Sequence, residues 1–229
     1  MSAPAQDWRA SRRKRLEAAA ISIVGYRVIA ALGATLRWKT EGFEHFDQIT
    51  RAGHQPIMAF WHGRILPATY YFRNRGIVVI TSSNFDGEWI AGIIERFWLR
   101  HLTRVDLPWW CPSTAAAVPR SCRGPAGRLQ VDGPRGPAHV SQPGAVWLAK
   151  ASGHPVLPFH LEADRYWTLG SWDRTQIPKP WSTVAISIGE PFYVPREAGE
   201  DEIEQYRQRL DAALVKAEER AKRLLSEGR

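Results

Sequence analysis

The sequence predicts a single α/β domain with a mainly parallel central sheet flanked by helices and an amphipathic helix at the N-terminus. Three observations carry that expectation. Short apolar runs rich in β-branched residues, at 57–60, 76–81 and 183–189, alternate with stretches of helical period. Twice a run of this kind gives way to a polar turn and then to a helical pattern. The two turns are Trp61-His62-Gly63-Arg64 and Ser82-Ser83-Asn84-Phe85-Asp86-Gly87-Glu88, and such repetition marks βαβ units. Finally, 229 residues suffice for one large domain with a full core and leave little room for a second.

Composition narrows the partners. A hydrophobic fraction of 44% with 24% charged residues is that of a globular chain. The net charge of +8 asks for an anionic partner: nucleic acid, an anionic membrane or a phosphorylated substrate. Eleven tryptophans suit surfaces that are apolar at one end and wet at the other. The two cysteines, Cys111 and Cys122, have no metal-ligand spacing and are too few for a disulfide scaffold.

The elements follow in order. A basic run, Arg9, Arg12, Arg13, Lys14 and Arg15, precedes a mostly apolar stretch at 18–36 that is broken by Arg27. In a spanning helix that arginine would cost about 2.5–3.5 kcal/mol, so an interfacial helix fits better, laying Ile21, Val24, Val28, Ile29 and Leu32 into the headgroup boundary. A helix packed on the domain's own body is the alternative, and the two are compatible. The chain thus divides into a membrane-associating segment, 1–35, and an α/β domain, 36–229. Residues 36–40 alternate as an edge strand, a short helix ends near Gly53, and Pro56 opens the strand that leads to His62. Residues 65–71 read as a helix with Pro67 tolerated in its first turn. The run at 76–81 is a buried strand, and a helix follows through Trp89, Ile90, Ile93, Ile94 and Phe97. Prolines 108, 112, 119 and 125 exclude a long helix across 106–130. A helix at 145–152 closed by Gly153, a strand at 155–159, loops holding Trp172-Asp173-Arg174 and Pro178-Lys179-Pro180, and a strand at 183–189 come next. Ile203, Tyr206, Leu210, Leu214, Ala217, Ala221 and Leu224 then mark one face of a long charged helix.

His62 is the candidate reactive group. A strand end supports a side chain rigidly and opens onto a loop where ligand can enter, although an isolated histidine also serves as a cap or as packing. Asp132-Gly133-Pro134-Arg135-Gly136-Pro137 repeats the arrangement after Leu129-Gln130-Val131. An imidazole within hydrogen-bond reach of a hydroxyl makes it a nucleophile, typically by about 10²–10⁴-fold, if a carboxylate fixes the tautomer. Backbone amides at Gly63 or Gly133 could hold an oxyanion. Arg135, stiffened by Pro134 and Pro137, suits a bidentate contact with phosphate, shared with Arg64; a structural pair with Asp132 or Glu190 is the other use for it.

With these pieces in order, the chain resembles the lysophospholipid acyltransferase superfamily. More narrowly, it resembles a bacterial branch of unassigned function that combines Trp-His-Gly-Arg, Asp-Gly-Glu and Asp-Gly-Pro-Arg-Gly-Pro. The matching elements run through residues 60–64, 86–88, 132–137, 142–144, 155–158, 171–174, 177–180 and 189–191. The resemblance implies an O-acyltransferase that moves a fatty acyl group from acyl-CoA or acyl-carrier protein to a hydroxyl of a lysophospholipid, glycerolphosphate or glycolipid. It implies no bound cofactor or metal, a place at the cytoplasmic face of the inner membrane, and an anionic membrane surface as partner. His62 would be the base, and Arg64, Asp132, Gly133, Pro134, Arg135 and Gly136 would bind substrate. The wider superfamily carries an aspartate on the fifth residue after the histidine, where this chain has Pro67. The branch pattern passes the orienting role to Asp86 or Glu88. The stretch 106–130 also departs, since the family carries a Ser/Gly-rich turn and a regular helix there.

Other functions fit less well. No nucleic-acid motif accompanies the basic charge, so nucleic acid is not expected as a partner. A hydrolase would want a Gly-x-Ser-x-Gly turn, which the sequence lacks. A catalytically silent membrane-binding member of the same fold is the main alternative.

Overall fold

The computed structural model describes residues 11–75, 78–81, 85–97, 100–103, 127–130 and 137–227, with the backbone path alone given for 78–81, 85–88, 100–103 and 127–130. Nine strands and six helices are placed among these residues. In chain order they are α1 (Arg12–Thr35), β1 (Arg37–Glu41), α2 (Phe43–Arg51), β2 (Ile57–Phe60), α3 (Ile65–Tyr71), β3 (Val78–Thr81), α4 (Phe85–Arg96), β4 (Arg100–Thr103), β5 (Gly127–Gln130), α5 (Gly144–Ser152), β6 (Val156–Ala163), β7 (Tyr166–Thr168), β8 (Gln176–Pro178), β9 (Thr183–Ile188) and α6 (Glu200–Ser226). A 3-10 turn over His62–Arg64 joins β2 to α3.

Seven strands form one sheet in the order β1-β9-β6-β2-β5-β3-β4. Every pair is parallel except β6 with β9, which run antiparallel from Phe159 opposite Ile188 to Ala163 opposite Val184. The mainly parallel sheet expected from the alternation of strand and helix is therefore present. β1 and β9 run against the rest, because the segment after β6 returns through a hairpin and not through a crossover helix. β6 is covered on both faces along its whole length, and its two buried polar residues, His160 and Glu162, are paired with each other.

The sheet has a core on each face. Met58, Phe60, Leu157, Phe159, Leu161 and Ile186 point toward Phe72, Ile93, Ile94 and Phe97 under α1 to α4. On the other face, Ile57, Ala59, Trp61 and Val156 meet α5 and α6 through Val146, Ala149, Leu210 and Leu214. The alternation of β2 between these cores follows from the two-residue period of a strand. Full burial of Leu210 and Leu214 contributes about 1.5–3 kcal/mol each, so α6 is held by its apolar stripe and not by its charges.

The helix α1 packs on the domain's own body along one face and leaves the other apolar and exposed. One face packs on α3 and α4, with Ala18, Ser22 and Gly33 buried. A Cβ added at Gly33 would lie 2.2 Å from the Tyr70 ring, so only glycine lets the helix sit this close. The other face leaves Leu16, Ile21, Ile23, Val24 and Val28 exposed. Ile29, expected to face lipid, packs instead against the first core. By length and composition the helix is apolar enough to cross a membrane.

Other elements fell close to expectation. Pro67 sits buried in the first turn of α3, where its missing N–H has no intrahelical acceptor to lose. Two corrections are local. β6 runs on to Ala163, past the expected end at Phe159, and Pro178, expected in a loop, closes β8 of a separate two-stranded sheet. β4 was not expected at all; its Arg-His-Leu-Thr sequence has little apolar content, and it lies at the sheet edge. Most of the stretch 106–130, with both cysteines, lies outside the described residues.

Candidate active site

The end of β2 delivers His62 into the 3-10 turn, and the turn between β7 and β8 delivers Asp173 to meet it. His62 Nδ1 and Asp173 Oδ2 are 2.6 Å apart. The histidine side chain keeps 27% of its surface accessible and the aspartate 3%, so the pair is a buried carboxylate with a reachable ring. Gly63 makes the approach possible: a Cβ there would lie 2.4 Å from the Asp173 carbonyl oxygen. The Trp172 ring tilts over the imidazole at 5.4 Å.

Asp173 is held by its own loop. Thr175 donates to it twice, from N–H to Oδ1 at 3.2 Å and from Oγ1 to Oδ2 at 2.6 Å, and Ser171 Oγ donates to Oδ1. Ser-x-Asp-x-Thr is thus an Asx-type turn closed on its own backbone. Arg174 takes a left-handed φ of 46° in this turn, a conformation tolerated in a non-glycine residue only when surroundings enforce it. Burial pushes the Asp173 carboxyl upward, but the hydrogen bonds from Ser171, Thr175 and His62 outweigh it and hold the pKa at about 2. An ionised carboxylate only accepts, so Nδ1 of His62 is the donor in this contact and carries its proton there. That is the tautomer a general base requires.

Arg64, two residues on, turns the other way. Its guanidinium is buried and meets Glu162 Oε2 at 3.2 Å. The same oxygen lies 3.0 Å from His160 Nε2, and Oε1 accepts from Gln176 at 2.8 Å. Burial raises the Glu162 carboxyl, yet His160, Arg64 and Gln176 together bring it down to about 2. Burial lowers His160, and the Arg64 charge adds to that, so the ring is neutral and donates from Nε2 to the carboxylate. His160 and Glu162 share a face of β6 because they are two residues apart. Gln176 belongs to β8, so this network also clamps the hairpin that carries Asp173.

Donor atoms of His160, Glu162 and Glu218 lie within 4.8 Å of one another, a spacing that would admit a metal ion. The charges argue against one. Glu162 is already shared with Arg64, and Glu218 accepts from Lys222 at 2.6 Å, so both carboxylates are neutralised by cations where an ion would sit. The cluster is a charge-balanced framework between β6 and α6.

Of the residues predicted from sequence, the structure brings His62 and Arg64 to one turn and separates their environments. Asp86 and Glu88 lie at the head of α4, described by backbone only. Asp132, Gly133, Pro134, Arg135 and Gly136 fall outside the described residues. Sequence reasoning assigned no role to Asp173. The available signal was that it is the sole acidic residue between Asp164 and Glu190 and sits in a serine- and threonine-flanked turn.

The fold has a solved counterpart: the chain superposes on the crystal structure of the 1-acyl-sn-glycerophosphate (LPA) acyltransferase PlsC from Thermotoga maritima with a TM-score of 0.52 at 19% identity, over 90% of this chain and 81% of that one. In sequence it is similar to an uncharacterized protein of Rickettsia prowazekii (strain Madrid E), 23% identical over 137 residues, which is 59% of this chain and 63% of that protein's length. No family model matches the chain.

Proposed function

We propose that this protein is an O-acyltransferase that passes a fatty acyl group from a thioester donor, acyl-CoA or acyl-carrier protein, to a hydroxyl of a glycerolphosphate, lysophospholipid or glycolipid acceptor at a membrane. The observation that carries the reading is the His62–Asp173 pair on a strand end of this fold. In the proposed reaction His62 Nε2 takes the acceptor's hydroxyl proton as that oxygen attacks the thioester carbonyl. The carbonyl electrons move onto oxygen, with the backbone amides of Gly63 or Gly133 as the candidate donors to it. Collapse of the tetrahedral species re-forms the carbonyl and breaks the carbon–sulfur bond, and the imidazolium returns its proton to the departing thiolate. The products are an ester and a thiol. Asp173 stays ionised throughout and stabilises the transient imidazolium.

The departure at Pro67 then has a simple meaning. The carboxylate that the wider superfamily places five residues after the histidine arrives here from a loop 111 residues away. Asp86 and Glu88 are left as secondary acidic groups at the head of α4. Arg135 is the candidate clamp for an acceptor phosphate. Arg64, committed to Glu162, supports that region by fixing the turn and not by reaching the ligand. The exposed apolar face of α1 supports association with a membrane, and the cytoplasmic leaflet is the surface that holds both donor and acceptor.

The test is transfer of a labelled acyl group from acyl-CoA or acyl-carrier protein to a panel of lysophospholipids, with lipid mass spectrometry to identify the product. His62→Ala is expected to reduce turnover by about 10²–10⁴-fold with an unchanged melting profile. Near wild-type turnover in that variant would leave the catalytically silent, lipid-binding reading standing in its place.

A further inference from the structure

We propose that the β7–β8 hairpin and the loop leading to β9 form a second membrane-docking surface that seats in the headgroups of an anionic bilayer beside the catalytic pair. The proposal rests on the membrane acyl-transfer reading for its purpose, but its observations are separate. Every residue of β7 faces solvent although the strand is Tyr166-Trp167-Thr168. Trp167 is 52% exposed and Trp181 67%, and Leu169 and Trp172 are exposed with them. Isolated exposed apolar residues need no explanation, whereas a run of large aromatic ones on a small independent sheet marks a contact surface.

The charges choose the partner. Between Arg165 and Trp181 the charged residues are Arg165, Asp173, Arg174 and Lys179. The single acid is turned inward onto His62, which leaves only cations facing out. They stand among the rings: Lys179 Nζ lies 5.5 Å from the Trp167 centroid, and Arg165 donates to the Trp181 carbonyl at 3.2 Å. Tryptophan and tyrosine interleaved with lysine and arginine match the headgroup layer of an anionic membrane, where rings lie at the acyl boundary and cations meet phosphates.

Position agrees with charge. The Trp181 N–H donates to Thr35 Oγ1 at 3.3 Å, so the aromatic surface begins where α1, with its exposed apolar face, ends. At the other side Trp172 leans on His62. The hairpin therefore links the apolar helix to the reactive ring, and an acceptor lipid could meet His62 without leaving the interface.

The experiment uses the full chain. Trp167→Ser combined with Trp181→Asn removes two exposed rings, asparagine being chosen because Trp181 has a φ of 57° that it tolerates. Binding to phosphatidylcholine vesicles with and without phosphatidylglycerol is measured by sedimentation. The double variant is expected to bind the anionic vesicles at least about tenfold more weakly, a change of about 1.4 kcal/mol. Arg165→Glu with Lys179→Glu is expected to abolish the preference for phosphatidylglycerol. Hydrogen exchange of the unmodified chain, which needs no variant to fold, is expected to slow at 165–181 when vesicles are added. Unchanged vesicle affinity in both folded variants, or protection confined to α1, would overturn the proposal. So would self-association of the unmodified chain through these residues without vesicle binding, which would make the surface a protein interface. Turnover of a water-soluble short-chain acyl thioester is read in parallel. Its absence in a chain that binds vesicles through the hairpin would count against acyl transfer and leave the docking surface in place.

Discussion

His62 and Arg64 leave the same three-residue turn, each meets a carboxylate from the β6–β8 region, and the two pairs differ in exposure. The His62–Asp173 pair has one accessible member and one buried one. Both members of the Arg64–Glu162 pair are buried, at 9% and 6% of side-chain exposure. Both carboxyls are held near a pKa of 2, so ionisation does not distinguish the pairs. Access does. A pair that solvent cannot reach holds structure, whereas the pair whose imidazole keeps 27% of its surface accessible is the one proposed to exchange a proton. The comparison also shows that a perturbed carboxylate is by itself a weak pointer to chemistry.

Breaking the buried pair should be the larger injury to stability. Glu162→Gln leaves Arg64 charged and uncompensated in the interior, at an expected cost of about 3–5 kcal/mol. Chemical denaturation should report that loss, and any activity remaining at low temperature should show a near-normal rate per folded molecule. A midpoint unchanged from the natural chain would mean that Arg64 finds water or another partner.

The partly accessible pair should respond in the reverse sense. Asp173→Asn places an amide among donors, presents N–H groups toward His62 and favours the wrong tautomer, so kcat should fall by about 10²-fold or more while the fold persists. Asp86→Asn and Glu88→Gln should lose less. Equal losses at Asp173 and Asp86 would divide the orienting role between them.

Arg135→Lys sharpens the contrast by asking whether a third cation meets ligand. A guanidinium forms two parallel bonds to phosphate where an ammonium offers a point charge, so acceptor kcat/KM should fall roughly ten- to a hundredfold with donor kinetics little changed. An equal fall for both substrates, with a lower melting temperature, would place Arg135 with Arg64 in the framework.

A further effect is expected in acid. Glu162 has a folded-state pKa of about 2 against an ordinary 4.5, and Asp173 about 2 against 3.8. A depressed carboxylate contributes stability that is complete above its unfolded value and disappears as pH falls through its folded one. The urea midpoint should therefore decline from about pH 4.5 down to about pH 2. The decline should be shallower in Glu162→Gln, which has already lost one of the two contributions. An identical slope would show that other carboxylates govern the acid transition.

The sequence by itself determined what depends on neighbours along the chain. The short apolar run at 57–60, the helix that accepts Pro67 in its first turn, the 3.6-residue stripe of α6 and the strand-end position of His62 are all local consequences of backbone geometry and side-chain spacing. The packed face of α1 was legible for the same reason, since its small residues Ala18, Ser22 and Gly33 fall on the side that meets α3 and α4. Tertiary structure decided which carboxylate meets which cation. Nothing near His62 in sequence announces Asp173, because that meeting depends on β6 lying next to β2 and on the hairpin after β6 folding back over the turn. Arg64 read from sequence as a ligand contact, and its buried pairing with Glu162 of β6 depends on the same sheet order. Hydrophobic period is written residue by residue, whereas the partner of a charge is fixed only when sheet order and loop return bring distant segments within about 3 Å of each other.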